Sequence, residues 1–277
     1  MKTDEIDLII EPGRIEKNYW SDLWRYRELF YILAWRDFKV RYKQTVIGVA
    51  WSVLRPLLTM IVIVVVFSKI AKMPTEGNAP YAIMALAGLL PWQFFSNALS
   101  ESSNSLISNT NLFTKVYFPR ILIPASSIVL GFVDFLITIA MLGLIMVAYQ
   151  FVPSINMIFL PFFFILTFFA SFGVGILMST LNLKYRDFRY IVPFIVQFGM
   201  YISPVAFSSS VIPEKYQFIY SLNPLVGVID GFRWCIIGGD VPLNLQSLAI
   251  SVVVISVFSI LGIQYFRKTE KMLADYA

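Results

Sequence analysis

The sequence predicts an all-α integral membrane fold: six transmembrane helices, an N-terminal amphipathic interface helix and two re-entrant half-helices between spans five and six. Three observations carry this. Of 277 residues, 58% are hydrophobic and 14% charged, against about 45–50% and 25% in soluble globular chains. A soluble chain of this length cannot hide so much apolar surface, so its solvent is lipid. Long stretches carry no charge at all. And all but four of the 22 Lys and Arg residues, namely Lys69, Lys72, Lys215 and Arg233, fall in segments that six crossings place on one side. That side is the cytoplasm, with both termini.

The spans follow in order. The first, about 52–71, has a clean centre from Pro56 to Ser68, with Arg55 and Lys69 near its ends, where long side chains reach the headgroups. The second, 81–101, lies in the charge-free run Gly77–Ser100. The third, 121–149, carries one charge, Asp134. The run Phe135–Leu183 is too long for one crossing, and Pro153, Ser154 and Asn156 cut it, so the fourth span is 157–180. The fifth, 190–207, and the sixth, 244–266, lie in the charge-free runs Tyr190–Pro213 and Val241–Phe266. Residues 1–45 then form a cytoplasmic tail and interface helix, and 46–277 the transmembrane domain. No cleavable signal peptide is expected, because the first 45 residues are charged and lack an apolar core.

Composition excludes much chemistry. The chain has no His and one Cys, Cys235, so His triads, His proton relays, CxxC sites and intrachain disulfides are absent. No G-x-x-x-x-G-K-[ST] occurs, so the chain holds no P-loop. No catalytic, cofactor-binding or metal-ligating residue is expected. The net charge of +5 reads as membrane topology and contact with anionic lipid, not nucleic-acid binding.

Three segments are not simple spans. In 18–43, Trp20, Leu23, Trp24, Tyr31, Ala34, Trp35 and Phe38 recur at helical spacing, with Arg27 interrupting. This is an interface helix, serving either as an anchor or as a docking surface for a cytoplasmic partner. The loop 102–120 is polar and bounded by Pro119. It is either a plain connection or a short helix around Ser105–Lys115 presenting Leu106, Ile107, Asn109, Leu112 and Phe113 to the cytoplasm. The segment 208–243 is too apolar for a solvated loop and too broken for a span. Asn223-Pro224 reads as an N-cap with Pro at the first helical position. Halves at about 214–222 and 225–237 are too short to cross about 30 Å. They form either a re-entrant pair or a hairpin on the surface, and Gly227-x-x-x-Gly231 permits close backbone approach.

RDFKVRYKQTVIGVAWSVLRPLL at 36–58, AGLLPWQFFSNAL at 87–99 and NLFTKVYFPRILIP at 111–124 together resemble the membrane subunit of ABC-2 type polysaccharide exporters. The O-antigen subgroup is nearest, with capsule and teichoic-acid exporters alongside. The resemblance covers nearly the whole chain from about residue 20. It implies a homodimer in the bacterial inner membrane, bound to two copies of a separate ATP-binding subunit that holds ATP and Mg. The cargo it implies is a lipid-linked polysaccharide. It assigns Trp20, Trp24 and Trp35 to the interface helix and the 102–120 set to a helix coupling to the ATPase. By the same resemblance Trp51, Trp92, Phe94, Phe95, Phe198 and Tyr201 lie on pore-side spans, where aromatic faces suit sugar C–H surfaces.

Asp134, about 20 Å into its span, is the one deep carboxylate. It is expected either to contact cargo or water or to hold helices together. Arg55 is too shallow to reach it, and Glu101 matches Arg55 better in depth. Other functions remain on the table: an ABC-2 exporter of drugs or small lipids, with the same fold, and a secondary transporter, which Asp134 alone supports. A membrane enzyme would need His or paired carboxylates near the interface, and the acidic residues Asp4, Glu5 and Asp7 sit in the N-terminal tail.

Overall fold

The computed structural model describes residues 19–43, 48–239 and 241–272. The tail 1–17, with Asp4, Glu5 and Asp7, lies outside the described residues. The described chain is helical, with no strand. Two helices open it, α1 (Tyr19–Arg25) and α2 (Arg27–Lys43), broken at Tyr26. They are followed by α3 (Gly48–Ile63), which continues as a wider π-helical turn over Val64–Ile70, and by α4 (Tyr81–Ser108). Next come the single turn α5 (Thr110–Phe113), α6 (Leu122–Ala148), α7 (Leu160–Lys184) and α8 (Phe188–Ile202). The short pair α9 (Glu214–Ser221) and α10 (Pro224–Ile236) precedes α11 (Leu245–Thr269).

Among the described residues, five stretches are long and apolar enough to cross a membrane: Ala50–Ile70, Tyr81–Ser108, Leu122–Ala148, Ile155–Lys184 and Leu245–Thr269. They coincide with five expected spans to within a few residues, apart from the inner end of the second. The cut before the fourth span is where the sequence put it: α6 ends at Ala148, and Ser154 accepts from the Asn156 N–H to start the next helical stretch. The span expected at 190–207 is different. The α8 helix holds only 15 residues and stops at Ile202, because Pro204 disfavours helix at Ser203. At 1.5 Å per residue it is about 22 Å long, short of a bilayer core.

The hub is α4, which packs against α6 and α7 and also touches α3, α8 and α10. Its run Ile83–Ala87 is fully buried, because helices surround it on all sides. By contrast α3 and α8 hold to the bundle lightly, and Val192 is the one buried residue of α8. A second, smaller core of Tyr19, Leu33, Leu106, Phe113, Phe118, Ile176 and Phe266 fastens α1 and α2 to one end of the bundle.

The polar loop expected from 102 is in fact the last two turns of α4. Ser100, Ser102, Ser103, Asn104 and Ser105 each donate to a carbonyl three or four residues back. Back-bonding satisfies these side chains at a slight cost to the helix, and burial of Ser102, Ser103 and Ser105 in the bundle keeps the run helical. The expected helix over Ser105–Lys115 is therefore the end of α4, a break at Asn109 and the single turn α5.

Candidate functional site

Among the described residues two polar networks stand out in the apolar bundle, one midway along α6 and one where α8 breaks. The first centres on Asp134. Its Oδ2 accepts from Arg41 Nη2 at 2.7 Å, and its Oδ1 accepts from the Tyr42 hydroxyl at 2.8 Å and from Ser52 Oγ at 2.7 Å. Three donors from α2 and α3 thus converge on one carboxylate. Burial, then the Asp134 carboxylate it bonds, hold the Tyr42 hydroxyl above the ordinary phenol range. Of the two roles open to Asp134, the structure displays helix fastening. Arg55 instead donates to Asn97, and Glu101 lies 3.8 Å from Arg41, so the pairing of Arg55 with Glu101 expected from depth is not formed. The reason is that α2 climbs along the bundle: Arg36 reaches Asn109 near the end of α4, while Arg41 reaches Glu101 and Asp134 further in.

The Trp residues of the interface helix turn away from the protein. Trp20, Trp24 and Trp35 are exposed, while Leu33 is buried and Leu23, Tyr26, Leu29 and Phe30 pack on the small core. Of the stripe read from the sequence, Leu23 therefore belongs to the inner face, while Trp20, Trp24, Tyr31 and Trp35 form the outer one. Along it Tyr31, Trp35, Phe38 and Tyr42 stack in succession, Arg27 lies over Trp24 and Lys39 over Trp35. Aromatic rings flanked by cations suit a water–lipid boundary.

Of the residues expected to face the cytoplasm from 102–120, Leu106 and Phe113 are buried, because they plug the small core. Ile107, Asn109 and Leu112 are partly exposed, and Asn109 is engaged by Arg36. The aromatic set divides too. Trp92, Phe94 and Phe95 are buried: Phe94 packs edge-on against Phe135 and Phe164, and Trp92 sits against Gly199 of α8. Trp51, Phe198 and Tyr201 are exposed. Within this chain the first three are core and the last three are surface.

The second network is built where α8 breaks. The chain from Ser203 to Ser208 is non-helical and buried apart from the partly buried Phe207, so its carbonyls need donors from elsewhere. Arg233, fully buried on α10, donates from Nη2 to Val205 O at 3.0 Å and from Nη1 to Phe207 O at 2.8 Å. The Tyr81 hydroxyl donates to Ala206 O between them. Glu76, 3.0 Å from Arg233 Nη1, balances the guanidinium. Gly88 makes room: a Cβ there would lie 2.8 Å from Val205 O and 3.2 Å from Arg233 Nη2. Asn223 caps α10 through Oδ1 to the Leu225 N–H, and its Nδ2 donates to Ser203 Oγ. The expected N-cap and first-turn Pro224 are both present. So is the close approach at Gly227, whose Cβ would meet Leu248 Cα of α11 at 2.8 Å. Sequence reasoning counted Arg233 only as an outer charge. Its signal was a lone Arg inside the otherwise apolar run from Pro224 to Ile237, apart from Asp230.

The profile of the ABC-2 type transporter family matches residues 28–237. The chain is similar to the O-antigen export system permease protein RfbA of Klebsiella pneumoniae, 30% identical over 249 residues that cover 90% of this chain and 94% of the relative. It is also similar to the protein of that name from Myxococcus xanthus, 25% identical over 76% of this chain and 81% of the relative. The polysialic acid transport protein KpsM of Escherichia coli is 22% identical over 86% of this chain and 92% of its own length.

Proposed function

The chain belongs to the ABC-2 type transporter family, and we propose that it is the membrane-spanning permease subunit of an exporter carrying a lipid-linked polysaccharide, an O-antigen, out of the cytoplasm. It performs no bond chemistry. The likeness to O-antigen export permeases over most of the chain carries this reading, and five apolar spans support it. In the working assembly two copies pair, and two copies of a separate ATP-binding subunit supply ATP and Mg. Its home is the inner membrane, with both termini cytoplasmic.

A sixth crossing is part of the proposal. The α8 helix supplies about 22 Å. The turn and bend over 203–207 complete the crossing, with Arg233 and Tyr81 bonding the carbonyls of Val205, Ala206 and Phe207. The α9–α10 pair then re-enters from the outer face, and the partly exposed Ile107, Asn109 and Leu112 offer the ATPase its contact.

The test is to delete the gene in its host, complement it with the intact gene, and locate lipid-linked glycan by cell fractionation. The expected result is polymer held on the cytoplasmic side and a bare surface, both reversed by complementation. Normal surface glycan in the deletion strain refutes the reading and shifts the cargo to a smaller lipid or drug.

A further inference from the structure

A cavity of about 410 Å³ opens at the end of the bundle that carries α9 and α10. Its volume lies within the range of small-molecule sites, about 300–1,000 Å³. Its wall is drawn from five stretches of chain: the loop before α4, residues 208–210, α9, α10 and the connection into α11. The chemistry of that wall is unusual for an apolar protein. Ser209, Gln217, Tyr220, Asp230 and Asn244 line it, with further serine hydroxyls, and no Lys or Arg lies on it among the described residues. The cavity therefore mixes neutral hydrogen-bonding groups with two carboxylates, Asp230 and the Arg233-paired Glu76, and offers no cation to hold a phosphate.

The wall is pre-set. Asp230, only 9% exposed, accepts from Ser209 Oγ at 2.7 Å, which leaves carboxylate lone pairs for a second donor. Ser221 and Ser247 share a hydrogen bond at 2.7 Å that ties α9 to α11. The Tyr220 hydroxyl is buried on the wall with no protein partner among the described residues. A polyol meets this pattern: each ring hydroxyl both donates and accepts, vicinal hydroxyls suit a carboxylate and an amide, and the tyrosine ring offers an apolar face.

We propose that this cavity is a saccharide subsite that holds one neutral sugar residue of the glycan at the outer mouth. The inference rests on the export reading above and adds where, and by which groups, the cargo is held. Because its wall joins α9, α10 and the loop before α4, an occupied subsite bridges the elements that frame the exit.

The experiment uses the full chain in its host with its ATPase. Cys235 is replaced by alanine and Gln217 by cysteine, and intact cells are treated with a membrane-impermeant maleimide. Labelling rates are compared between cells making the glycan and cells blocked at its first sugar-transfer step. Glu214→Cys, an exposed position on the same helix, is the control for general shielding. We expect labelling at position 217 to slow at least about threefold when glycan is made, with position 214 unchanged. Equal rates at 217, equal protection at both positions, or no labelling at 217 in either strain overturns the subsite. A paired Asp230→Asn/Tyr220→Phe variant, in a complex that assembles and hydrolyses ATP normally, should lower surface glycan severalfold, and unchanged surface glycan counts against the subsite. Failure here with a bare-surface deletion strain strikes only the subsite, whereas normal surface glycan in the deletion strain strikes the export reading itself.

Discussion

Replacing Arg233 by methionine should unlock the end of the bundle where α8 breaks. The side chain is fully buried and meets three acceptors: Val205 O, Phe207 O and Glu76 Oε1. Methionine keeps much of the apolar volume and donates to none of them. Each orphaned carbonyl costs about 1–3 kcal/mol, and stranding the Glu76 carboxylate costs about 3–5 kcal/mol. The sum, about 5–11 kcal/mol, rivals the whole stability of an ordinary domain, about 5–15 kcal/mol. At about 2–4 °C per kcal/mol, the melting midpoint in detergent should fall by more than about 10 °C. The protein supplies its own reporter. Cys235 is the single cysteine, fully buried two residues along the same helix, so a thiol-reactive dye reads the loosening of α10. The double variant Arg233→Met/Glu76→Gln removes the stranded charge but not the bare carbonyls, and should recover roughly half of the loss. Arg233→Lys should recover little, because one ammonium cannot fork across two carbonyls and a carboxylate. A single variant melting within about 3 °C of the parent, or a double variant no better than the single, would refute the reasoning.

Asp134→Asn keeps an acceptor for Tyr42 and Ser52 but loses the charge facing Arg41, whereas Asp134→Leu loses all three bonds. At about 1.5–3 kcal/mol per bond to a charged group, the leucine variant should release α2, seen as faster protease cleavage within 26–43, with the asparagine variant between it and the parent. Gly231→Ala should be poorly tolerated, since its Cβ would overlap the Phe163 ring. An overpacking cost of about 1–3 kcal/mol is expected, and Phe163→Leu in the same chain should restore most of the lost melting temperature. Burial lifts the Asp230 carboxyl to about 6, against the opposing pull of the Ser209 hydroxyl and Arg233. The folded state then binds the proton more tightly than the unfolded one, so this group's contribution to stability falls as pH rises through about 6. Between pH 5 and 7 the parent should lose about 1 kcal/mol more than Asp230→Asn, read from paired melting curves.

Where apolar runs were long, the sequence defined the helix ends to within a few residues, because a bilayer accepts little else. It failed where side chains rewrote the local preference. Serines 102, 103 and 105 read as loop residues and instead bond back along α4. Pro204, inside an unbroken apolar run, gave no sign in the charge count, yet it ends the fifth helix early. The interface helix was visible, but its orientation was not, since Leu33 and the Trp residues are equally apolar by composition. The Asp134 cluster escaped depth arithmetic because α2 climbs the bundle, which no ruler along one helix reports. The clamp at Arg233 draws on residues 76, 81, 205–207 and 233, distant in sequence and joined only by the fold.

That separation dictates an order of assembly. Arg233 follows Phe207 by 26 residues and Val205 by 28, so the carbonyls of 205–207 leave the ribosome ahead of their donor. Until α10 arrives, the growing chain carries an open polar seam beside α4, with Tyr81 alone available to bond it. Maturation of this end of the bundle is thus a late event, completed after the helices it caps are in place. A chain stalled short of residue 233 would present that seam to the insertion machinery and to membrane proteases as the mark of an unfinished protein.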